Sequence, residues 1–129
     1  GGPARAGSQQ TIAEPDMPDH ITISPASGTY KVQAGATTLG TTSRALELKE
    51  GAYPAMIYVP REDVAMALLA RTERKTTCPW KGEASYYSVR TPEGTLYDAV
   101  WSYETPKADV TAIAGHLAFY PDKVTVTKV

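Results

Sequence analysis

Ala84-Ser85-Tyr86-Tyr87-Ser88-Val89-Arg90-Thr91-Pro92-Glu93-Gly94-Thr95-Leu96-Tyr97-Asp98-Ala99-Val100-Trp101-Ser102-Tyr103 reads as two strands around one tight turn. Thr91-Pro92-Glu93-Gly94 places proline second and glycine fourth, which suits a four-residue turn. With Arg90 opposite Thr95, Val89 faces Leu96 and Tyr87 faces Asp98. On the other face Ser88 meets Tyr97, Tyr86 meets Ala99 and Ala84 meets Trp101. Each ring then lies against a small residue, and that cross-strand filling supports the register.

The chain on either side continues the β pattern. Segments 31–34, 37–39 and 45–48 are short strands separated by Gly35, Gly40 and Ser43, and a meander is the simplest reading. Ala55-Met56-Ile57-Tyr58-Val59 is an unbroken apolar run, as expected of a strand buried on both faces. Pro60 followed by Glu62 and Asp63 predicts a helix start, and Val64, Leu68 and Leu69 carry a short helix to about residue 70. Thr105, Pro106 and Gly115 punctuate a second helix, whose inward stripe is Val110, Ile113 and Ala114. A turn at Pro121-Asp122 predicts a last hairpin, with Phe119 opposite Val124 and Leu117 opposite Val126. His116, Ala118 and Tyr120 fall on its other face. Residues 1–19 are rich in Gly, Pro, Ser and Gln and read as a flexible tail. The expected fold is mainly β: a single compact domain over 20–129, made of antiparallel sheets with two short helices.

Composition narrows the function. A chain of 129 residues suits one domain with its own core. A net charge of -1 supplies no field for nucleic acid. No run of eighteen apolar residues exists, so no membrane span is expected, and the N-terminus lacks a signal peptide's apolar core. Gly1-Gly2 without Met hints at processing or a cleaved tag. Cys78 is alone, so no intrachain disulfide forms, and one cysteine with two histidines falls short of a structural zinc set. No metal and no cofactor is implied, and a reducing, cytoplasmic setting fits.

The residues that could carry chemistry gather around Cys78-Pro79-Trp80-Lys81-Gly82. Arg74, Lys75 and Lys81 could lower the Cys78 pKa, and His116 could serve as its base, which would make Cys78 a nucleophile. The plainer reading is a buried, small apolar cysteine. Lys81-Gly82 lacks the upstream glycine and following Ser/Thr of a phosphate loop, leaving Lys81 as a point charge for one anion, or a solvated lysine. Trp80, Tyr86, Tyr97, Trp101 and Tyr103 form the largest aromatic set, either a pocket wall or simply core. Arg61 sits where the helix dipole disfavours a cation, so it wants an anionic partner: Glu83, Asp98, Glu104 or a ligand. The leading expectation is a module binding a small anionic molecule or peptide. Its site would be Arg61, Trp80, Lys81, Gly82, Tyr86, Trp101 and Tyr103. An enzyme built on Cys78 and His116, or an interaction domain without a small ligand, are the alternatives.

Tyr53-Pro54, Val59-Pro60-Arg61-Glu62-Asp63-Val64, Thr77-Cys78-Pro79-Trp80-Lys81-Gly82 and Ala99-Val100-Trp101-Ser102-Tyr103 stand in an order that resembles a bacterial family, the domain of unknown function 427. Ala84-Ser85-Tyr86-Tyr87-Ser88-Val89 and His116-Leu117-Ala118-Phe119-Tyr120-Pro121-Asp122 extend the resemblance, which runs from about Asp19 to the C-terminus. It implies the tent-like sheets of the Mss4-like group, whose relatives include zinc proteins and methionine sulfoxide reductases. Paired Cys-x-x-Cys ligands are missing here, so a metal-free version is implied. The family is sometimes labelled nucleotidyltransferase-like. Such enzymes show a Gly-Ser followed by paired acids for magnesium, whereas Gly40-Thr41 here is followed by Glu47-Leu48-Lys49.

Overall fold

The computed structural model describes residues 20–129, so the tail reading of 1–19 lies outside the described residues. The first five strands are β1 (Ile21–Pro25), β2 (Tyr30–Ala34), β3 (Thr37–Thr42), β4 (Leu46–Glu50) and β5 (Met56–Tyr58). The others are β6 (Leu69–Cys78), β7 (Gly82–Thr91), β8 (Gly94–Ser102), β9 (Ala118–Phe119) and β10 (Thr125–Lys128). They form three antiparallel sheets in the orders β1-β4-β5, β10-β2-β3 and β6-β7-β8-β9.

The β6–β9 sheet is the centre, because strand alternation gives it two apolar faces. Tyr87, Val89, Val100 and Phe119 share one core with Val32, Ala34 and Leu39 of the β10-β2-β3 sheet. Ala84, Tyr86 and Ala118 share the other with Leu48 and Tyr58 of the β1-β4-β5 sheet, and Trp101 packs against it. β5 serves both cores: Tyr58 enters one, and Ile57 with Val59, just past the strand, the other. The unbroken apolar run thus packs on both sides, but only Tyr58 and Val59 are fully buried, Met56 and Ile57 are half-buried and Ala55 is exposed. Val59 also exchanges two 2.8 Å backbone hydrogen bonds with Leu117, stitching the end of β5 to the start of β9.

The central hairpin keeps the expected register near its turn and departs from it further on. Arg90 pairs with Thr95 and Val89 with Leu96, but then Tyr87 pairs with Val100 and Tyr86 with Trp101. Residues 97–99 therefore oppose Ser88 alone, a bulge with two extra residues in β8. Asp98 takes a left-handed φ of 50° there, and its N–H donates to Ser88 Oγ at 3.0 Å. β6 bulges beside it at 72–74, and Thr72 Oγ1 donates to Asp98 Oδ1 at 2.7 Å. A shift of two residues preserves each side chain's face. It also carries Trp101 from Ala84 to a place opposite Tyr86, and both rings pack on Tyr120.

Neither predicted α-helix forms. Residues 61–68 make two 3-10 turns, Arg61–Asp63 and Met66–Leu68, with Val64 extended between them (φ −118°, ψ 140°). Val64 bridges Gly40, and the Ala65 N–H donates to the Leu39 carbonyl at 2.7 Å, so β3 takes the backbone that a helix would need. Leu69 already belongs to β6 and pairs with Val89. The second segment is a 3-10 stretch, Ala108–Ile113, broken at Val110 (φ −126°, ψ 28°). Thr105 does not cap it; Lys107 precedes it and donates its N–H to the Lys81 carbonyl. Val110 and Ile113 are buried as expected, whereas Ala114 is exposed.

Two strand pairings also differ. β4 leaves the β2–β3 hairpin to lie between β1 and β5, so 30–49 is not a meander. The last segments do not pair with each other: β9 joins β8 and β10 joins β2. The chain does turn there, with Lys123 and Val124 N–H groups on the Tyr120 carbonyl. Phe119, Leu117, Val124 and Val126 still meet in one core.

Candidate functional site

A cavity of about 300 Å³ opens between β4–β5 and the β7–β8 hairpin. Its aromatic walls are Tyr53, Tyr58, Tyr86, Trp101, Tyr103 and Tyr120, with Leu48, Pro54 and Met56 between them. Two charges complete it: Lys81 Nζ donates to Glu50 Oε1 at 2.7 Å, the side chains being only 12% and 21% exposed.

Local structure fixes both charges. Gly82 follows Lys81 with φ 110°, and a Cβ there would meet the backbone of 105–107 at 3.5–3.6 Å. Only glycine suits that conformation, and the close approach lets Lys107 N–H bond the Lys81 carbonyl at 3.0 Å. Glu50 ends β4, and its carbonyl accepts the Tyr53 N–H at 3.0 Å. Lys49 Nζ bonds the Gly51 and Tyr53 carbonyls, closing the turn that brings Tyr53 and Pro54 over the cavity.

The phenols differ in acidity. Burial pushes Tyr58 up to about 12, although Trp101 Nε1–H, donating to its oxygen at 3.3 Å, partly offsets this. Burial raises Tyr103 further, with Tyr58 adding to it. Burial and the neighbouring Tyr86 hydroxyl hold Tyr120 at about 12. Tyr86 goes the other way. Burial opposes its ionisation, but hydrogen bonds to Thr76 (2.8 Å) and Tyr120 (3.5 Å) outweigh it, aided by the Arg74 guanidinium 4.8 Å from the ring centroid. Tyr86 should therefore ionise below the ordinary tyrosine value of about 10. Tyrosinate absorbance followed against pH should lose its earliest step in Tyr86→Phe and its latest step in Tyr103→Phe. An unchanged early step in Tyr86→Phe would refute this order.

Of the residues that sequence singles out, Lys81, Tyr86, Trp101 and Tyr103 converge on the cavity. Trp80 and Gly82 are not among its walls: Trp80 is half-buried on the turn, and Gly82 acts through its backbone. Tyr97 is exposed and lines a separate polar groove. Cys78 is half-buried against the core of Tyr58 and Tyr103, joined by a trans peptide to Pro79. His116 does not hydrogen-bond Cys78 among the described residues; its Nδ1 lies 3.2 Å from the Ala114 carbonyl. Arg61 belongs elsewhere. Its Nη2 reaches Glu104 Oε2 at 3.1 Å, its Nη1 the Tyr87 hydroxyl at 3.2 Å and its Nε the Gly115 carbonyl at 3.1 Å. That is the ion-pair reading of Arg61, and it removes Arg61 from the aromatic pocket. Glu50, Tyr53, Tyr58 and Tyr120 complete the site without having been anticipated in it. Tyr53 stands in a dipeptide that carries the family resemblance, whereas nothing in the local pattern marks Glu50.

The fold and cavity define a small antiparallel β domain with a tyrosine-walled cleft. The chain belongs to the family described as Domain of unknown function (DUF427), whose match spans residues 22–129. No curated protein matches it. Among the described residues no three His, Cys, Asp or Glu side chains gather where they could share a metal ion, and no helix is long and apolar enough to cross a membrane.

Proposed function

We propose that this chain is a bacterial, cytoplasmic binding module whose ligand, a small anionic molecule or peptide, seats its anionic group on Lys81 in the tyrosine-walled cavity. The observation that carries the reading is the convergence of six aromatic rings and a largely buried lysine on open space. Rings serving only as core would close to crystal-like density and leave no cleft. About 300 Å³ lies at the small end of ligand sites, enough for a metabolite or one side chain. We assign the three sheets to a metal-free form of the Mss4-like fold, in keeping with a chain that has one cysteine.

A thermal-shift screen of small anions and short acidic peptides tests it. A true ligand at about a hundredfold its Kd should stabilise the wild type by about 2.7 kcal/mol. Lys81→Met should lose that shift, and Trp101→Leu should reduce it, in variants whose unliganded melting remains cooperative. A ligand that stabilises Lys81→Met as well as the wild type would remove Lys81 from the site.

A further inference from the structure

The cavity holds chemistry that a purely anionic ligand would leave unused. Lys81 and Glu50 touch at 2.7 Å, so the charged wall is neutral as a pair. An anion approaching Lys81 also approaches the Glu50 carboxylate, and the repulsion cancels much of the attraction. Glu50 spends only Oε1 on Lys81; its Oε2 accepts no hydrogen bond from the described residues. Among the remaining walls the Trp101 and Tyr120 rings favour positive charge, while Tyr86 already carries the Arg74 guanidinium 4.8 Å from its centroid. Ring faces carry the negative lobe of the aromatic quadrupole and attract ammonium groups, tryptophan most strongly. Trp101 and Tyr120 meet at 4.6 Å with planes 51° apart, forming a corner, and Tyr86 lies nearly parallel to Tyr120 beyond it. Resistance of Tyr58 and Tyr120 to ionisation keeps these rings neutral through the physiological range.

We infer that the ligand is a zwitterion, with a carboxylate or phosphate on Lys81 and, a short spacer away, an alkylated ammonium among the rings beside Glu50. Adjacent opposite charges on the ligand match the adjacent opposite charges on the wall, so neither Lys81 nor Glu50 loses a partner on binding. The inference rests on the cavity being the ligand seat.

A matched probe set separates the two ideas on the wild-type protein. Glycine betaine carries both charges, tert-butylacetate is its carbon isostere with the anion alone, and choline keeps only the cation. Tryptophan fluorescence and thermal shift should rank betaine about tenfold or more tighter than either of the others. Phosphocholine, tested alongside, distinguishes a phosphate from a carboxylate head. Glu50→Gln should weaken betaine and choline while sparing or strengthening tert-butylacetate. Equal or tighter binding of tert-butylacetate overturns the zwitterion and leaves an anion site standing. Silence towards both betaine and phosphocholine also overturns it; the cavity reading fails with it only if the anion screen is silent too.

Discussion

Gly40→Ala is expected to be the most damaging single methyl group that can be added to this domain. Gly40 lies in β3, paired with Val32 on one side and bridged to Val64 on the other. A Cβ would overlap the Asp63 carbonyl oxygen outright and crowd Asp63 C and Val64 Cα at 3.1 and 3.3 Å. Those atoms are backbone and cannot swing aside. The 61–65 segment is also held in place: Ala65 N–H bonds the Leu39 carbonyl at 2.7 Å, and Thr42 Oγ1 bonds Asp63 Oδ2 at 2.7 Å. Relief of the overlap must part β3 from that segment and open the core around Leu39 and Val64. The cost should be about 3 kcal/mol or more, the upper end for overpacking. Total stabilities of roughly 5–15 kcal/mol make that loss plain in urea unfolding. Gly35→Ala is the control. Gly35 has φ 60° and nothing within 4 Å of its would-be Cβ, so only left-handed strain of about 1–2 kcal/mol applies. Gly40 itself has no left-handed φ, so a loss no larger than that of Gly35→Ala would mean that the 61–65 segment yields and that close approach is not the constraint.

The same junction explains why the local pattern of 60–70 misleads. Val64, Leu68 and Leu69 are spaced for a helix, but one helical turn is costly to nucleate, and the bridge to Gly40 offers Val64 and Ala65 better partners. Long-range pairing likewise decides the cavity. Tyr86, Trp101 and Tyr103 belong to one hairpin or its end, so turn chemistry and alternation bring them together. Glu50 and Tyr58 arrive on β4 and β5, a sheet whose pairing with β1 skips the β2–β3 hairpin and leaves no trace in local pattern. Tyr120 arrives after β9 through backbone bonding to Ala99. The bulge that sets Trp101 against Tyr86 is half-legible. Aspartate is among the residues enriched at left-handed φ, so Asp98 permits it, but the hydroxyls that hold it, Ser88 and Thr72, come from two other strands. The helix dipole that calls for an acidic partner at Arg61 is missing, because only a 3-10 turn forms there, yet Glu104 is such a partner.

Glu104→Gln should destabilise the domain by about 2 kcal/mol at neutral pH, within the range for hydrogen bonds to charged groups and short of its top, because each side chain is about a third exposed or more. One carboxylate holds three groups: Tyr87 Oη at 2.6 Å, Arg61 Nη2 at 3.1 Å and Arg71 Nη1 at 3.0 Å. Arg71 continues to Ser85 Oγ at 2.8 Å, so the network joins β6, β7 and the residues that follow β5 and β8. Glutamine keeps the shape but leaves two guanidinium groups without an anion. Acid should reproduce the effect. Burial alone would raise the Glu104 pKa, but the Tyr87 hydroxyl and the charges of Arg71 and Arg61 outweigh it and hold the carboxyl below its ordinary value. Below the unfolded pKa of about 4.3 the unfolded chain takes up this proton first. The contribution of Glu104 is therefore complete above that value and disappears as pH falls through the lower folded pKa. Asp63, held down by Arg44 and Thr42, titrates in the same acid range, so wild-type unfolding alone mixes the two. The difference between wild type and Glu104→Gln isolates one of them: it should be flat near neutrality and shrink in acid. A difference that persists undiminished in acid would assign the loss to packing. In a double-mutant cycle with Tyr87→Phe, the two costs should fall short of adding, since one weakens and the other removes the same 2.6 Å hydrogen bond.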